Sequence, residues 1–212
     1  HIDAEAGFVT FDELLAIMSG VVNAAVDAAW SAYEPELKRW NATKPTLPKV
    51  FPKITMTEIH EKFSKANNVN TVGEKDLRPE EEKSICEWAK KNLDSEAVFV
   101  TEWPASEAKF YHKVDAEKPD IAIRADLLFR GVEISTGSMR ENDYNVLVEQ
   151  LQKIGADIEH PGFKYYLMAF KYGLPPHGGF GMGLERLTQK IIGLNNVKEA
   201  SAFPRDINRL AP

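Results

Sequence analysis

Three alternating glycines and a nearby arginine have the spacing in this chain that most clearly suggests chemistry. Gly179, Gly181 and Gly183 share one parity, so a strand over Gly179–Gly183 would have one face without side chains, open to a flat ligand. Arg186 follows in the first turn of the next predicted helix, where a guanidinium can hold a phosphate through two hydrogen bonds. The pattern indicates a nucleotide site. It fits equally well a glycine strand packed beneath a helix, with Arg186 in a surface ion pair.

Two carboxylates flank a predicted hairpin further upstream. If Arg130 and Gly131 form a two-residue turn, Leu128 pairs with Glu133, and Asp126 then lies on the same face of the hairpin as Glu133. Diagonal neighbours of this kind are roughly 7–8 Å apart at most, within reach of a shared cation. Hard oxygen ligands suit Mg²⁺ that is held together with substrate phosphates. The alternative is that Asp126 ends a strand and Glu133 is solvated.

These residues and several further motifs resemble a known family. The segment Gly178–Leu187 is similar to motif 3 of the class II aminoacyl-tRNA synthetases. Further motifs resemble, in order and spacing, the aspartyl-tRNA synthetases of archaeal and eukaryotic type. They are Ser106–Tyr111, Asp126–Glu133, Gly137–Glu141, Leu174–Gly179 and Phe203–Pro212.

The resemblance implies a reaction and a set of catalytic residues. In the family, ATP activates aspartate to aspartyl-adenylate, and the aspartyl group then passes to tRNA. The resemblance makes Arg186, Glu133 and Asp126 catalytic, with Mg²⁺ held by the two carboxylates. The same three residues, together with Gly181 and Gly183, would bind ATP.

The amino acid would contact Lys109, Arg140, His177 and Gly179, again by resemblance. A guanidinium is a natural partner for a substrate carboxylate, and a nearby ammonium would favour an acid over an amide. Other interpretations exist for three of these residues. Lys109 could be a solvated lysine at a sheet edge, and His177 could be structural. Arg140 could lie on the surface at a helix N-terminus, where a cation is unfavourable unless an anion is bound.

Three features depart from the family pattern. Lys109 is followed directly by Phe110, where the family usually has an intervening residue. The run Ser138–Arg140 is closer to the asparaginyl-tRNA synthetases, and Thr10 and Asp12 stand in place of an acid pair. An asparaginyl or non-discriminating enzyme is therefore one alternative. A non-catalytic paralogue or fragment, acting as a binding or dimerisation module, is another, because the motif 2 arginine is absent.

Composition fits one soluble domain over residues 1–212. The chain is 43% hydrophobic, with a net charge of −6, which argues against a generally basic nucleic-acid-binding surface. Its single cysteine, Cys86, cannot form an internal disulfide and is expected to be a small buried hydrophobe. We expect a cytoplasmic protein without a membrane partner. By resemblance it would be the C-terminal portion of a homodimeric catalytic core, with the N-terminal OB-type anticodon-binding domain, motif 1 and most of motif 2 absent.

Periodicity and turn signals predict an α+β fold with a mainly antiparallel sheet flanked by helices, as the family also implies. Short β-rich runs joined by turns favour antiparallel pairing. Helices are predicted at Phe11–Asn41, from about Thr57, and at Pro79–Asn92, Met139–Ile154, Gly162–Tyr172 and Leu184–Ile192. Strands are predicted at Ile54–Met56, Val98–Thr101, Phe110–Lys113, Asp126–Phe129 and Val132–Ser135. The acidic run Glu80–Glu82 is explained by the helix dipole.

Overall fold

A mainly antiparallel sheet forms the centre of the fold in the computed structural model, which describes residues 1–210. Its strands, with one short additional pair, are β1 Ile2–Gly7, β2 Lys53–Thr55, β3 Ala97–Thr101, β4 Trp103–Pro104, β5 Ile121–Ala122, β6 Arg124–Phe129, β7 Val132–Met139 and β8 His177–Met182. The main sheet has the order β1-β8-β7-β6-β3-β2, and β4 pairs with β5 separately. Strand β2 runs parallel to β3, whereas the other neighbours are antiparallel. The last two residues of the Phe203–Pro212 motif lie outside the described residues.

Helices flank this sheet where the periodicity predicted them. They are α1 Phe11–Arg39, α2 Met56–Asn67, α3 Pro79–Leu93, α4 Tyr144–Lys153, α5 Pro161–Lys171 and α6 Leu184–Ile192. Thr10 and Thr55 form capping boxes at the starts of α1 and α2, which satisfy free backbone N–H groups there. The ring of Pro79 occupies the first turn of α3, where its missing N–H costs nothing.

Three apolar clusters hold these elements together. The first packs α1 and α6 on one face of the sheet and includes Phe99, Leu127 and Phe129. The second packs α2 and α3 on the opposite face, through the alternate residues Val98 and Leu128. The third joins α4 to α5 and has its own buried side chains. Helices α2 and α3 cover this face around β3 and contact β7, whereas residues of β1, β7 and β8 line an open cavity.

The long helix α1 is the central support of the first cluster. Within residues 1–210 it is the one helix whose length and apolar character could cross a membrane. Met18, Val22 and Val26 on this helix are at most 2% exposed and pack in the cluster beneath the sheet. A core position accounts for its apolar character. The helix bends at Tyr33, two residues before Pro35, as expected for a proline inside a helix.

Several predicted elements were wrong in type or extent. Phe110–Lys113 is not a strand; it contributes only a bridge between His112 and Arg140. Helix α4 begins at Tyr144 and not at Met139, because β7 continues to Met139 and Asp143 caps the helix. The first residues of the chain form strand β1, which was not predicted. Cys86 is buried as expected.

A substitution at Gly137 on β7 is expected to destabilise the fold. A Cβ atom there would lie 2.7 Å from Met18 Sδ and 3.2 Å from Phe180 Cβ, both in the core. Overpacking of this kind costs roughly 1–3 kcal/mol, so Gly137→Ala should lower the free energy of unfolding by about that amount in urea denaturation. Gly20→Ala on α1 is the matched control. It meets no atom within 4 Å, and should raise the same quantity by about 0.5–1 kcal/mol. Equal stabilities of the two variants would contradict this packing argument.

Candidate functional site

The open part of the sheet forms a cavity of about 830 Å³. Its floor comes from β1, β7 and β8, and its rim comes from the start of α6 and from the segment containing Tyr111 and His112. Five of the predicted site residues line it. They are Glu133, Arg140, Gly181, Gly183 and Arg186.

The glycine strand was predicted correctly, and its two faces have different neighbours. Gly179 and Gly181 lie on β8 facing the cavity side, and Gly183 caps α6. A Cβ atom on Gly179 would lie 2.1 Å from the Glu5 carboxyl carbon, and one on Gly181 would lie 3.0 Å from Asp3 Oδ1. Because this face of β8 carries no side chains, the carboxylates of Asp3 and Glu5 on β1 lie directly against the β8 backbone. On the other face, the glycine at position 178 packs against core side chains.

Arg186 lies in the first turn of α6, as predicted. Its Nη1 donates to the Glu133 carbonyl oxygen at 2.7 Å and lies 3.4 Å from Glu133 Oε2. About half of the arginine side chain is exposed, so the rest of the guanidinium faces the cavity. The ion pair that the alternative interpretation expected does exist. Its partner is itself a predicted site residue, so the pair joins two parts of the candidate site.

The hairpin that carries the carboxylates has the predicted turn. Leu128 pairs with Glu133, and Arg130 and Gly131 both have positive φ angles, of 49° and 79°. A β-bulge next to Leu128 then shifts the register, so that Asp126 pairs with Thr136. Thr136 consequently joins the same face and donates its hydroxyl to Glu133 Oε1 at 2.8 Å.

Asp126 is buried behind the cavity. Arg124 Nη2 donates to Asp126 Oδ2 at 2.6 Å, and the Arg124 guanidinium stacks 4.1 Å from the Trp103 ring centre. Burial raises the pKa of Asp126 to about 6; Arg124 opposes this rise and Glu133 adds to it. Asp126 Oδ1 is buried without a hydrogen-bond partner among the described residues. Such an atom is costly unless a proton or a cation satisfies it.

The carboxylate donors at this site suit Mg²⁺. Asp126 and Glu133 supply hard carboxylate oxygens on one face, and Asp126 Oδ1 has no partner within residues 1–210. No group of three or more acidic, histidine or cysteine ligands occurs in that part of the chain. Two carboxylates fit a magnesium ion that takes its other ligands from water and substrate phosphates.

Glu82 is a neighbour of this site that sequence reasoning missed. It lies in the first turn of α3, and burial followed by the nearby Glu133 charge raises its pKa to about 7. Its neighbour Glu81 is fully buried and contacts His60 Nδ1 at 2.8 Å. The helix dipole therefore explains only part of the acidic run. Spacing along α3 holds no signal for these contacts, because both partners come from other elements.

Arg140 lies at the opposite end of the cavity. It follows β7 and pairs with His112, so the expected position at a helix N-terminus was wrong. Its Nη2 donates to Glu5 Oε1 at 2.7 Å and its Nε to the same oxygen at 3.2 Å. Its guanidinium carbon lies 5.0 Å from the Tyr111 ring centre. Arg140 is thus held in a position where it already binds one carboxylate.

The remaining predicted contacts lie at the margin. Lys109 and His177 do not line the cavity. His177 donates through Nδ1 to the Pro175 carbonyl oxygen at 2.9 Å, which fixes its ring against its own loop. The acid pair also differs from expectation. Thr10 caps α1 and Asp12 pairs with Lys53 at 2.7 Å, whereas Asp3 and Glu5 on β1 line the cavity, as Glu133 and Glu185 also do.

The fold and the cavity define an α+β chain of the synthetase type, and comparison with known proteins agrees. The profile of the family described as tRNA synthetases class II (D, K and N) matches residues 1–207. The aspartate–tRNA(Asp/Asn) ligase of Thermus thermophilus is 40% identical over 212 residues, which are all of this chain and 49% of that protein. The aspartate–tRNA(Asp) ligase of Pyrococcus furiosus is 37% identical over 214 residues, covering 100% and 48%.

Solved structures agree as well. The aspartyl-tRNA synthetase of Entamoeba histolytica superposes with a TM-score of 0.89 at 27% identity, over 99% of this chain and 44% of that one. The asparaginyl-tRNA synthetase of Pyrococcus horikoshii, in complex with asparaginyl-adenylate, gives 0.88 at 28% identity, over 99% and 48%. The chain belongs to the class II tRNA synthetases of the D, K and N family. It spans about half the length of the curated relatives that it matches.

Proposed function

We propose that the protein carrying this chain is an aspartate–tRNA ligase, and that the cavity is its amino-acid activation site. The observation that carries the proposal is the arrangement of two arginines at opposite ends of one cavity. Arg186 and Glu133 lie at one end, and Arg140 lies at the other end, already binding a carboxylate. Relatives over the full chain are named aspartate–tRNA ligases, which supports the same assignment.

The end of the cavity near α6 would bind ATP. Gly181 and Gly183 line this end without placing a side chain in it, and the half-exposed guanidinium of Arg186 would contact phosphate oxygens. Negative charge develops on the phosphates as the leaving group departs. The Arg186 guanidinium, which Glu133 holds in place before the reaction, would stabilise that charge without reorganising.

Asp126 and Glu133 would hold Mg²⁺. The ion would neutralise phosphate charge and orient the phosphates for an in-line displacement. The buried, unpartnered Oδ1 of Asp126 supports this role. Glu133 contributes from the cavity itself, where Thr136 and Arg186 keep its carboxylate in place.

The opposite end would bind aspartate. Arg140 would take the side-chain carboxylate, because its guanidinium already makes hydrogen bonds of the required kind to Glu5. Gly179 would contact the substrate once Glu5, which lies against its backbone, moves aside. Lys109 and His177 remain proposed contacts, which would require movement of segments at the margin of the cavity.

The proposed reaction needs no side-chain nucleophile. The α-carboxylate oxygen of aspartate bonds to the α-phosphorus of ATP, the α–β phosphoanhydride bond breaks, and pyrophosphate leaves. A hydroxyl of the 3′-terminal adenosine of tRNA then displaces AMP from the aspartyl-adenylate. Positioning and charge neutralisation would supply the catalysis. We further propose a cytoplasmic homodimer, as in the family.

The test is ATP–pyrophosphate exchange by the full-length protein with aspartate and with asparagine in parallel, at saturating Mg²⁺. We expect exchange that depends on aspartate. Absence of exchange with either amino acid would contradict the proposal and favour a non-catalytic binding module. Omission of Mg²⁺ serves as the control and should abolish the signal.

Relaxed specificity is the second candidate. The Thermus thermophilus relative is named for both tRNA(Asp) and tRNA(Asn), and Met139 before Arg140 resembles the asparaginyl enzymes. Aminoacylation of purified tRNA(Asp) and tRNA(Asn) with aspartate would distinguish the two. Charging of both tRNAs would identify a non-discriminating enzyme, and exchange with asparagine alone would identify an asparaginyl enzyme.

A further inference from the structure

His112 lies in the wall of the cavity beside Arg140, and no motif drew attention to it. The two residues form a backbone bridge, so both side chains come from paired segments. His112 is only 4% exposed, yet its imidazole lines the cavity. The Tyr111 ring contacts both neighbours, with its centre 4.8 Å from that of His112 and 5.0 Å from the Arg140 guanidinium carbon.

The hydrogen bonds of His112 determine where its proton lies. The backbone N–H of Lys109 donates to His112 Nδ1 at 3.3 Å, so Nδ1 is an acceptor and the proton resides on Nε2. Burial, together with the nearby charges of Arg124, Arg140 and Lys109, lowers the pKa of His112 to about 4. The ring is therefore neutral at pH 7. The described residues include no acceptor for its Nε2–H.

We propose that His112 is a specificity-determining residue, which donates its Nε2–H to a side-chain oxygen of the amino-acid substrate. This inference rests on the proposed function and extends it, by naming a second donor beside Arg140. It predicts that the cavity prefers an acid to the corresponding amide. The residue would contact the substrate directly.

The preference follows from counting donors and acceptors. A carboxylate has two oxygens that only accept hydrogen bonds, so it can satisfy both the Arg140 guanidinium and the His112 N–H. A carboxamide has one oxygen and one NH₂ group. Whichever way it turns, its NH₂ group faces a donor, and one group of the site loses its hydrogen bond. A neutral histidine adds this discrimination without placing a further positive charge beside three cations.

A structural role is the competing explanation, because the bond from Lys109 N–H to Nδ1 also stabilises the 109–112 turn. Two variants of the full-length protein separate the roles. His112→Asn keeps an acceptor near the Nδ1 position but has no group at Nε2. His112→Gln reaches the Nε2 position with a donor but has no acceptor near Nδ1. The measurement is kcat/KM for aspartate and for asparagine in ATP–pyrophosphate exchange.

We expect His112→Asn to lower kcat/KM for aspartate by roughly 10- to 100-fold, the range for a hydrogen bond to a charged group. Its kcat/KM for asparagine should change little, so the aspartate-to-asparagine ratio falls by a similar factor. His112→Gln should keep most of that ratio. The KM for ATP should stay at the wild-type value in both variants, because the nucleotide end is separate.

Two results would overturn the inference. One is an unchanged aspartate-to-asparagine ratio in His112→Asn. The other is a ratio lost in His112→Gln and retained in His112→Asn, which would assign the residue to the turn. Both leave the proposed function intact, because wild-type exchange with aspartate is measured in the same assay. Absence of exchange in the wild-type protein overturns the proposed function itself.

Discussion

Replacement of Arg186 by alanine in the full-length protein is expected to lower the rate of ATP–pyrophosphate exchange by roughly 10²- to 10³-fold, the usual cost of removing one fixed group that stabilises transition-state charge. The guanidinium is half exposed to the cavity, and its other contact is Glu133. The variant therefore loses a cation at the phosphates and also frees the Glu133 carboxylate. Both changes act on the end of the cavity near α6, which is proposed to bind ATP.

Arg39→Ala is the matched control for this experiment. Arg39 is an exposed arginine in the last turn of α1 and does not line the cavity. It should exchange at the wild-type rate. Circular dichroism of both variants would show that the fold is kept. A normal exchange rate in Arg186→Ala would remove Arg186 from the proposed mechanism.

Replacement of Arg140 by alanine should have a comparable effect on a different parameter. The Arg140 side chain is 17% exposed and donates two hydrogen bonds to the Glu5 carboxylate. Without Arg140 a bound aspartate side chain would lose its charge-paired hydrogen bonds, which costs several kcal/mol, so kcat/KM for aspartate should fall roughly 10²- to 10³-fold. The KM for ATP should stay at the wild-type value. Steady-state exchange at varied aspartate and varied ATP measures the two separately.

The two arginine variants act as controls for each other. Arg186→Ala should lower turnover at saturating aspartate, whereas Arg140→Ala should affect the dependence on aspartate concentration. Arg140→Lys should recover only part of the loss, because a lysine keeps the charge but not the planar fork. If Arg140→Ala raised the KM for ATP as much as that for aspartate, the assignment of Arg140 to the amino-acid end would be wrong.

Local rules predicted much of the hairpin and of the glycine strand. A two-residue turn at Arg130 and Gly131 sets the pairing of Leu128 with Glu133, and the structure has both. The bulge beside Leu128 was not predicted, because alternation of side chains along Arg124–Phe129 carries no trace of an extra residue in the partner strand. Thr136 reaches the cavity face only through that bulge.

Strand β1 could have been recognised but was not. Ile2, Ala4 and Ala6 alternate with Asp3 and Glu5, and burial alternates in the same way. Asp3 and Glu5, which line the cavity, were missed as a result, and only Thr10 and Asp12 were considered.

Other errors came from tertiary contacts that no local pattern records. The segment that begins at Phe110 has the composition of a strand, yet the Phe110 ring packs against Phe163 and Tyr166 of α5. In the sequence Glu82 looks like an ordinary acidic residue at a helix start. Only the fold shows that α3 brings it beside Glu133. His112 becomes notable only when its neighbours Lys109 and Arg140 are seen around it. These three cases depend on how separate elements meet.

The α4–α5 cluster shares no buried residue with the two clusters that hold the sheet, within the described part of the chain. Phe110 packs against it and also contacts Tyr111. Through Phe110 and Tyr111, mutations in this cluster would therefore shift His112 and Arg140 more than they shift Arg186 and Glu133. On the proposed assignment of the cavity, substitutions in this cluster would therefore change the amino-acid preference and leave ATP binding unaltered.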